Sequence, residues 1–429
     1  MAKVMDFNLV LMGAVLLSVL YLWTTTEAED LYVNTTILYS AIAKGAVCLD
    51  GSAPAFHFYP GTGSGVYSWL IHLQGGGWCE TTSDCQNRAR SDLSSKHAPI
   101  VAHFSGVLSN DPQLNPDFYN WNLVKIRYCD GSSYTGDIEE VDPDTNLHYR
   151  GARIFEAIME ELLYRKGMIY AQNAILSGTS AGGLGAILHC DKFRYFFPLT
   201  VRVKCISDAA FFLNVKTITG EPQIEEYYKR VVALHGSAKN LPLSCTLSLN
   251  DPSLCFFPQY AAQHTYTPLF IINSAYDAFQ INHSLIPSEA DPQHVWDYCK
   301  GNLNSCSPSQ LQTIQDFRLT FLEALNELGP STTRGYFISS CHSHHGIEIQ
   351  SYWSYTNSPT LANKTIAEAV GGWFFDRSGF QGDDPAVLGK RIEKASDYFM
   401  HAPLGSEGYS SVGRAPLLQL GRCNYGLDV

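Results

Sequence analysis

LSGTSAGGLG at residues 176–185 is the stretch whose reading decides the fold. It contains a G-x-S-x-G pentapeptide, Gly178 to Gly182, between an apolar run of strand character, Ala174-Ile175-Leu176, and a helix-like segment ending near Asp191. A serine on a sharp strand-to-helix turn is forced outward, so that its hydroxyl stands above the sheet edge. Glycines on either side remove the Cβ atoms that would collide there. The pentapeptide therefore nominates Ser180 as a nucleophile and acyl transfer as the reaction class. A glycine-rich turn between strand and helix is as readily only a turn, so the rest of the chain must supply a base, an orienting acid and oxyanion donors.

Working outward, apolar strand patterns alternate with helical ones. Strands are expected at Tyr67 to Leu73, Asn122 to Tyr128, Val203 to Ser207, Pro268 to Asn273 and Arg334 to Ser339, and helices at Gly151 to Tyr164 and Gln310 to Leu328. This order predicts an α/β fold with a mostly parallel central sheet covered by helices on both faces. In such sheets, sites form at the carboxyl ends of the strands. Gln74 to Trp78, Ser180, Asp208, Asp277 and the histidines at 342, 344 and 345 all follow the end of an expected strand.

The chain has 429 residues, 45% hydrophobic and 16% charged, which is ample for a large core. No linker, repeat or low-complexity tract divides it, so one large domain is the expectation. The formal net charge of -12 and the lack of a Lys/Arg cluster exclude a nucleic-acid partner. An acidic protein also gains no long-range attraction for a polyanion, so any anion recognition must be local. Lys3 followed by an apolar run from Leu9 to Trp23 reads as a secretory signal over 1–28, cleaved near Ala28. A retained anchor is the alternative, although the run is short of the roughly 20 residues a membrane span needs. Twelve cysteines and sequons at Asn34, Asn282 and Asn363 agree with secretion. Cys79 and Cys85 are close enough to staple a local loop, and the other pairings cannot be read from spacing.

Serine chemistry needs a base and an acid that fixes its tautomer, in the chain order Ser, acid, His for this fold. Asp277 fits that order. Asp208 comes directly after the nucleophile helix, too early, and Asp130 precedes Ser180. The base is one of His342, His344 and His345, among which spacing does not choose. Three histidines in four residues also allow a metal, but no nearby Asp, Glu or Cys completes a ligand set, so neither metal nor cofactor is expected. Oxyanion donors are expected from Ala181 N–H and from the glycine loop Gly75-Gly76-Gly77, where only glycine lets backbone approach so closely.

The chain resembles the plant pectin acetylesterases, which are similar to the Notum carboxylesterases. The matching segments include LQGGGWC (73–79), NPDFYNWNLVKIRYCDGSSYTGD (115–137), LSGTSAGGL (176–184), KCISDAAFFLNV (204–215), TPLFIINSAYDAFQI (267–281) and GGWFFDRSGFQ (371–381). They span roughly 31 to 381, so a single domain over 29–381 with a divergent tail at 382–429 is expected. The resemblance implies an α/β-hydrolase-like fold, export to the cell wall, and removal of acetyl groups from pectin without metal. It also places the base: the family's histidine lies in S-C-x-x-H, here Ser340 to His344. Ser180 and Asp277 match the family's nucleophile and acid.

The chain departs from its relatives at three points near the site. Thr179 and His345 stand where relatives commonly have Cys, and Gln74 where they have Glu. On this reading His344 takes the Ser180 proton, Asp277 holds the imidazole, and Gly76, Gly77 and Ala181 donate to the oxyanion. Trp78 is expected to form an apolar wall or a sugar-stacking surface, with core packing as the alternative. The partner is acetylated pectin met by a monomer, with no stable membrane partner. The competing functions are a Notum-like esterase of longer acyl chains and a non-catalytic wall-binding protein.

Overall fold

Six neighbouring strands sort their side chains into two apolar layers, and this alternation fixes the architecture. The computed structural model describes residues 30–344, 346–355, 357–361 and 363–377. The expected signal segment at 1–28 and the tail at 382–429 lie outside the described residues. Nine strands form one sheet: β1 (Leu31–Ile37), β2 (Ala55–Tyr59), β3 (Ser68–Leu73), β4 (Val101–Phe104), β5 (Asn122–Ile126), β6 (Asn173–Thr179), β7 (Arg202–Asp208), β8 (Leu269–Ser274) and β9 (Gly335–Ser339). Their order is β4-β1-β2-β5-β3-β6-β7-β8-β9. Every pairing from β5 to β9 is parallel, whereas β4–β1, β1–β2 and β2–β5 are antiparallel.

Along each parallel strand, alternate residues enter opposite cores. Trp69, Ile71, Leu176, Cys205 and Ile271 face one layer. Leu70, Ile175, Ile206, Phe270 and Phe337 face the other. Both faces are therefore covered, as a parallel sheet requires. The fold is α/β-hydrolase-like, as the order of motifs implied.

The expected elements are found with small shifts. The helix expected over 151–164 is an α-helix at Gly151–Glu160 that widens into a π-turn at Glu161–Arg165. The long helix begins earlier, at Pro308, because Ser307 and Gln310 form a reciprocal capping box. β1, β2 and β4 have no counterpart in the sequence reading. β1 buries only Val33 and β4 only Phe104, so their apolar signal is too thin to separate from loop.

Chain order places the site. From β3 the chain goes to β5 on one side, then returns past β3 to β6 and continues outward to β9. The order thus reverses between β3 and β6, where open α/β sheets leave a crevice. Leu73 pairs with Gly178 in the last rung of that ladder, so the glycine loop after β3 and the elbow after β6 emerge side by side.

Five disulfides brace the frame: Cys48–Cys129, Cys79–Cys85, Cys190–Cys205, Cys245–Cys255 and Cys299–Cys306. Cys341 is disulfide-bonded as well. Among the described residues no helix is long and apolar enough to cross a membrane. Cys190 and Cys205 are 15 residues apart and tie the segment after the nucleophile helix to β7. Cutting that loop with a Cys190→Ala/Cys205→Ala double variant is expected to lower the unfolding free energy by about 3 kcal/mol. The readout is a lower urea midpoint; an unchanged midpoint would show that the bridge adds nothing to the frame.

Candidate active site

The elbow is strained. Ser180 sits at φ 58°, ψ -128°, a conformation that a non-glycine residue holds only where its surroundings enforce it. Enforcement comes from close backbone approach. A Cβ on Gly178 would lie 2.2 Å from the Gly182 carbonyl oxygen, and one on Gly182 would lie 2.1 Å from that of Leu73. The Ser180 N–H donates to the Asp208 carbonyl at 2.9 Å. Ala181 opens the helix Ala181–Leu188, so its N–H has no acceptor within that helix.

Three side chains from three strand ends meet above this turn. His344 Nε2 lies 2.9 Å from Ser180 Oγ, and His344 Nδ1 lies 2.8 Å and 3.1 Å from the two Asp277 oxygens. Asp277 is fully buried and caps the short helix that follows it by accepting from Gln280 N–H at 2.9 Å. Phe279 stacks on the imidazole with centroids 4.9 Å apart. Burial opposes protonation of His344, but the charge and hydrogen bond of Asp277, with a smaller contribution from Asp208, raise its pKa above the usual 6.5. This geometry can pass a proton from the serine to the imidazole and leave the resulting imidazolium paired with a carboxylate.

The rival residues have other work. Asp208 accepts from Thr179 Oγ1 at 2.8 Å and from the N–H groups of Gly346 and Ile347 at 3.2 Å. It ties the elbow to the loop that carries His344, and burial lifts its pKa to about 6. Asp130 accepts from Ser132 and Tyr134 within its own loop. His342 is held below the usual histidine pKa by burial, and its buried Nε2 has no hydrogen-bond partner among the described residues. His345 lies outside the described residues. Gln74 Oε1 accepts from the Tyr128 N–H at 3.2 Å.

The glycine loop lies against the elbow. A Cβ on Gly75 would fall 2.3 Å from the Thr179 carbonyl oxygen and 2.9 Å from Ser180 Cβ, so only glycine allows this approach. Gly76, Gly77, Ser180 and His344 border a cavity of about 480 Å³, together with Lys125, Glu348 and Ile349. Of the two expectations for Trp78, cavity wall or core packing, the structure places it in the core. Its indole is 8% exposed and packs edge-on against Phe212, Tyr228 and Phe279, with Nε1–H donating to Ser133. Lys125 and Glu348 form an ion pair in the cavity lining. Neither was singled out from sequence, because a single charged residue within a strand or loop carries no signal of its own. Of the sequons, Asn34 and Asn363 are exposed, whereas Asn282 is half-buried and donates to the Ala278 carbonyl.

The pectinacetylesterase family profile matches residues 26–388. Pectin acetylesterase 11 of Arabidopsis thaliana is 53% identical over 357 residues, 83% of this chain and 91% of its own length. Pectin acetylesterase 7 of the same plant is 51% identical over 350 residues, 81% of this chain and 89% of its own. Among solved structures, the Wnt deacylase Notum from Drosophila superposes with a TM-score of 0.68 at 22% identity, covering 82% of this chain and 95% of that one. At that identity the likeness concerns fold.

Two substitutions separate the two carboxylates. Asp277→Asn is expected to lower kcat by about 10⁴-fold, because the amide selects the wrong imidazole tautomer. An imidazole must be neutral to act as base, so activity falls as pH drops through its raised pKa. Asp208→Asn keeps an acceptor and removes a charge, so it should move that acid limb to lower pH with kcat largely retained. Profiles of kcat/KM against pH for both variants test the assignment. Equal losses in kcat would contradict it.

Proposed function

The chain belongs to the pectinacetylesterase family and is a carboxylic ester hydrolase, and from that premise we propose that it removes acetyl groups from pectin through Ser180, His344 and Asp277. The observation that carries this reading is the run Asp277–His344–Ser180, with contacts of 2.8 Å and 2.9 Å, opening onto the glycine-bordered cavity.

The steps of this reading are those of serine acyl transfer. Ser180 Oγ attacks the acetyl carbonyl carbon while His344 Nε2 takes its proton. Negative charge develops on the carbonyl oxygen and is met by the N–H groups of Gly76, Gly77 and Ala181. The C–O bond to the sugar breaks, and His344 returns the proton to the leaving oxygen. Water then attacks the acetyl-enzyme with His344 as base, releasing acetate and restoring Ser180. No metal or cofactor enters these steps.

One feature of the cavity favours a short acyl group over a long acyl chain. The aromatic cluster around Trp78 fills the space behind the glycine loop. The same reading makes the protein a secreted monomer of the cell wall, with a signal over 1–28, one catalytic domain over 29–381 and a separate tail. The five disulfides support an oxidising compartment.

Acetate release from acetylated pectin by wild type and Ser180→Ala tests the proposal. Ser180→Ala should lose about 10⁴-fold or more in kcat. Wild-type-like release by the variant would sink the nucleophile assignment. Acetyl esters should also be turned over faster than octanoyl esters, and the reverse order would favour the long-chain alternative.

A further inference from the structure

The carbonyls of the glycine loop are held from behind, and one of the groups holding them is a cation. The Gly76 carbonyl accepts from Arg88 Nη1 at 2.6 Å. The Gly77 carbonyl accepts from the Tyr128 hydroxyl at 2.9 Å. That hydroxyl in turn accepts from the Ser133 N–H at 2.8 Å, so its own proton is committed to Gly77. The Arg88 guanidinium lies over the Tyr128 ring, 4.6 Å from its centroid. Among the described residues its buried Nε and Nη2 meet no hydrogen-bond partner.

Peptide geometry turns these contacts into an aiming device. In a trans peptide the C=O of one residue and the N–H of the next point in opposite directions. Holding the Gly76 carbonyl against Arg88 therefore directs the Gly77 N–H away from Arg88. Gly76 and Gly77 have φ of 143° and 68°, a backbone path open to glycine that other residues rarely adopt. Such a loop can readily turn its peptides over unless something clamps them. Among the described residues the N–H groups of Gly76 and Gly77 meet no protein acceptor.

Arg88 is half-buried, and the nearby Asp130 carboxylate is a charge that acts on it. Its setting is rigid. Arg88 sits on the helix Thr82–Ala89, which is capped by Thr81 and bridged through Cys85 to Cys79, two residues beyond Gly77. A fixed positive charge bonded to a peptide carbonyl polarises that peptide and makes its N–H a stronger donor, and the effect is largest where water is excluded.

We propose that Arg88 is a positioning residue for the oxyanion site, clamping and polarising the Gly76–Gly77 peptide so that the Gly77 N–H meets the developing charge. This inference rests on the esterase reading above, in which Gly76, Gly77 and Ala181 are the donors. Arg88 itself touches neither substrate nor Ser180.

The test measures kcat and KM on a small acetyl ester, corrected for active sites titrated with a phosphonate that labels Ser180. It also measures the affinity of a trifluoromethyl ketone, which adds to Ser180 as a hemiketal and carries the same oxyanion. Arg88→Gln should lower kcat per site by about 10- to 100-fold, less than or equal to the loss of a direct donor, with KM within twofold. Ketone affinity should fall by the same factor as kcat/KM, and Arg88→Lys should recover part of both. A purely structural role would lower the melting temperature and the titrated fraction but leave per-site kcat and ketone affinity unchanged, and that result overturns the proposal. If Arg88→Gln does not fold, Arg88→Met, which keeps the apolar stem and removes the donor, is measured in the same way: a kcat-only loss supports the clamp and a wild-type value refutes it. An inactive wild type would instead remove the esterase reading, an outcome distinct from failure of the clamp.

Discussion

The contact between the ends of β3 and β6 is the constraint on which the rest depends. Gly75 lies so close to Thr179 and Ser180 that a single added carbon would have to displace backbone. That contact brings two chain segments about a hundred residues apart into one surface, with a strained serine on one side and a glycine loop on the other. Parallel pairing fixes the rung, since Leu73 faces Gly178, and a slip of one residue would turn every side chain to the wrong core. The two apolar layers therefore act at a distance on the chemistry: they hold the register, and the register holds the site.

The sequence made the central strands legible because parallel strands buried on both faces read as continuous apolar runs. It made the order of Ser180, Asp277 and the histidines legible because each follows such a run. The choice among His342, His344 and His345 was open on spacing and needed the family pattern, since all three lie beyond the same strand. The antiparallel strands β1 and β4 stayed hidden because each buries a single residue. The packing of Trp78 stayed hidden for a different reason: a tryptophan after a glycine run looks the same in sequence whether it faces the cavity or the core.

The residue before the nucleophile has a physical role of its own. The Thr179 hydroxyl donates to Asp208, which also accepts from the loop beyond His344. The elbow and the histidine loop are thus joined here by hydrogen bonds to a shared carboxylate. Such a join is directional and sensitive to protonation, because the group that makes it has its pKa lifted to about 6 by burial. Two acids near one imidazole then divide the labour. Asp277 orients the ring through a direct bond, and Asp208 sets the position of the loop and contributes field.

The aromatic cluster behind the glycine loop has a consequence for how specificity can change in this architecture. Trp78, Phe212, Tyr228, Phe256 and Phe279 are in mutual edge-on contact, and Phe279 also touches His344. Core volume and substrate volume are therefore contiguous, separated by side chains rather than by backbone. Acyl length becomes a matter of how much of a plug is retained, and a lineage could lengthen or shorten its preferred ester by trading packing for room. The proton-transfer groups would be left where they stand, and the cost of the change would be borne by the stability of the core.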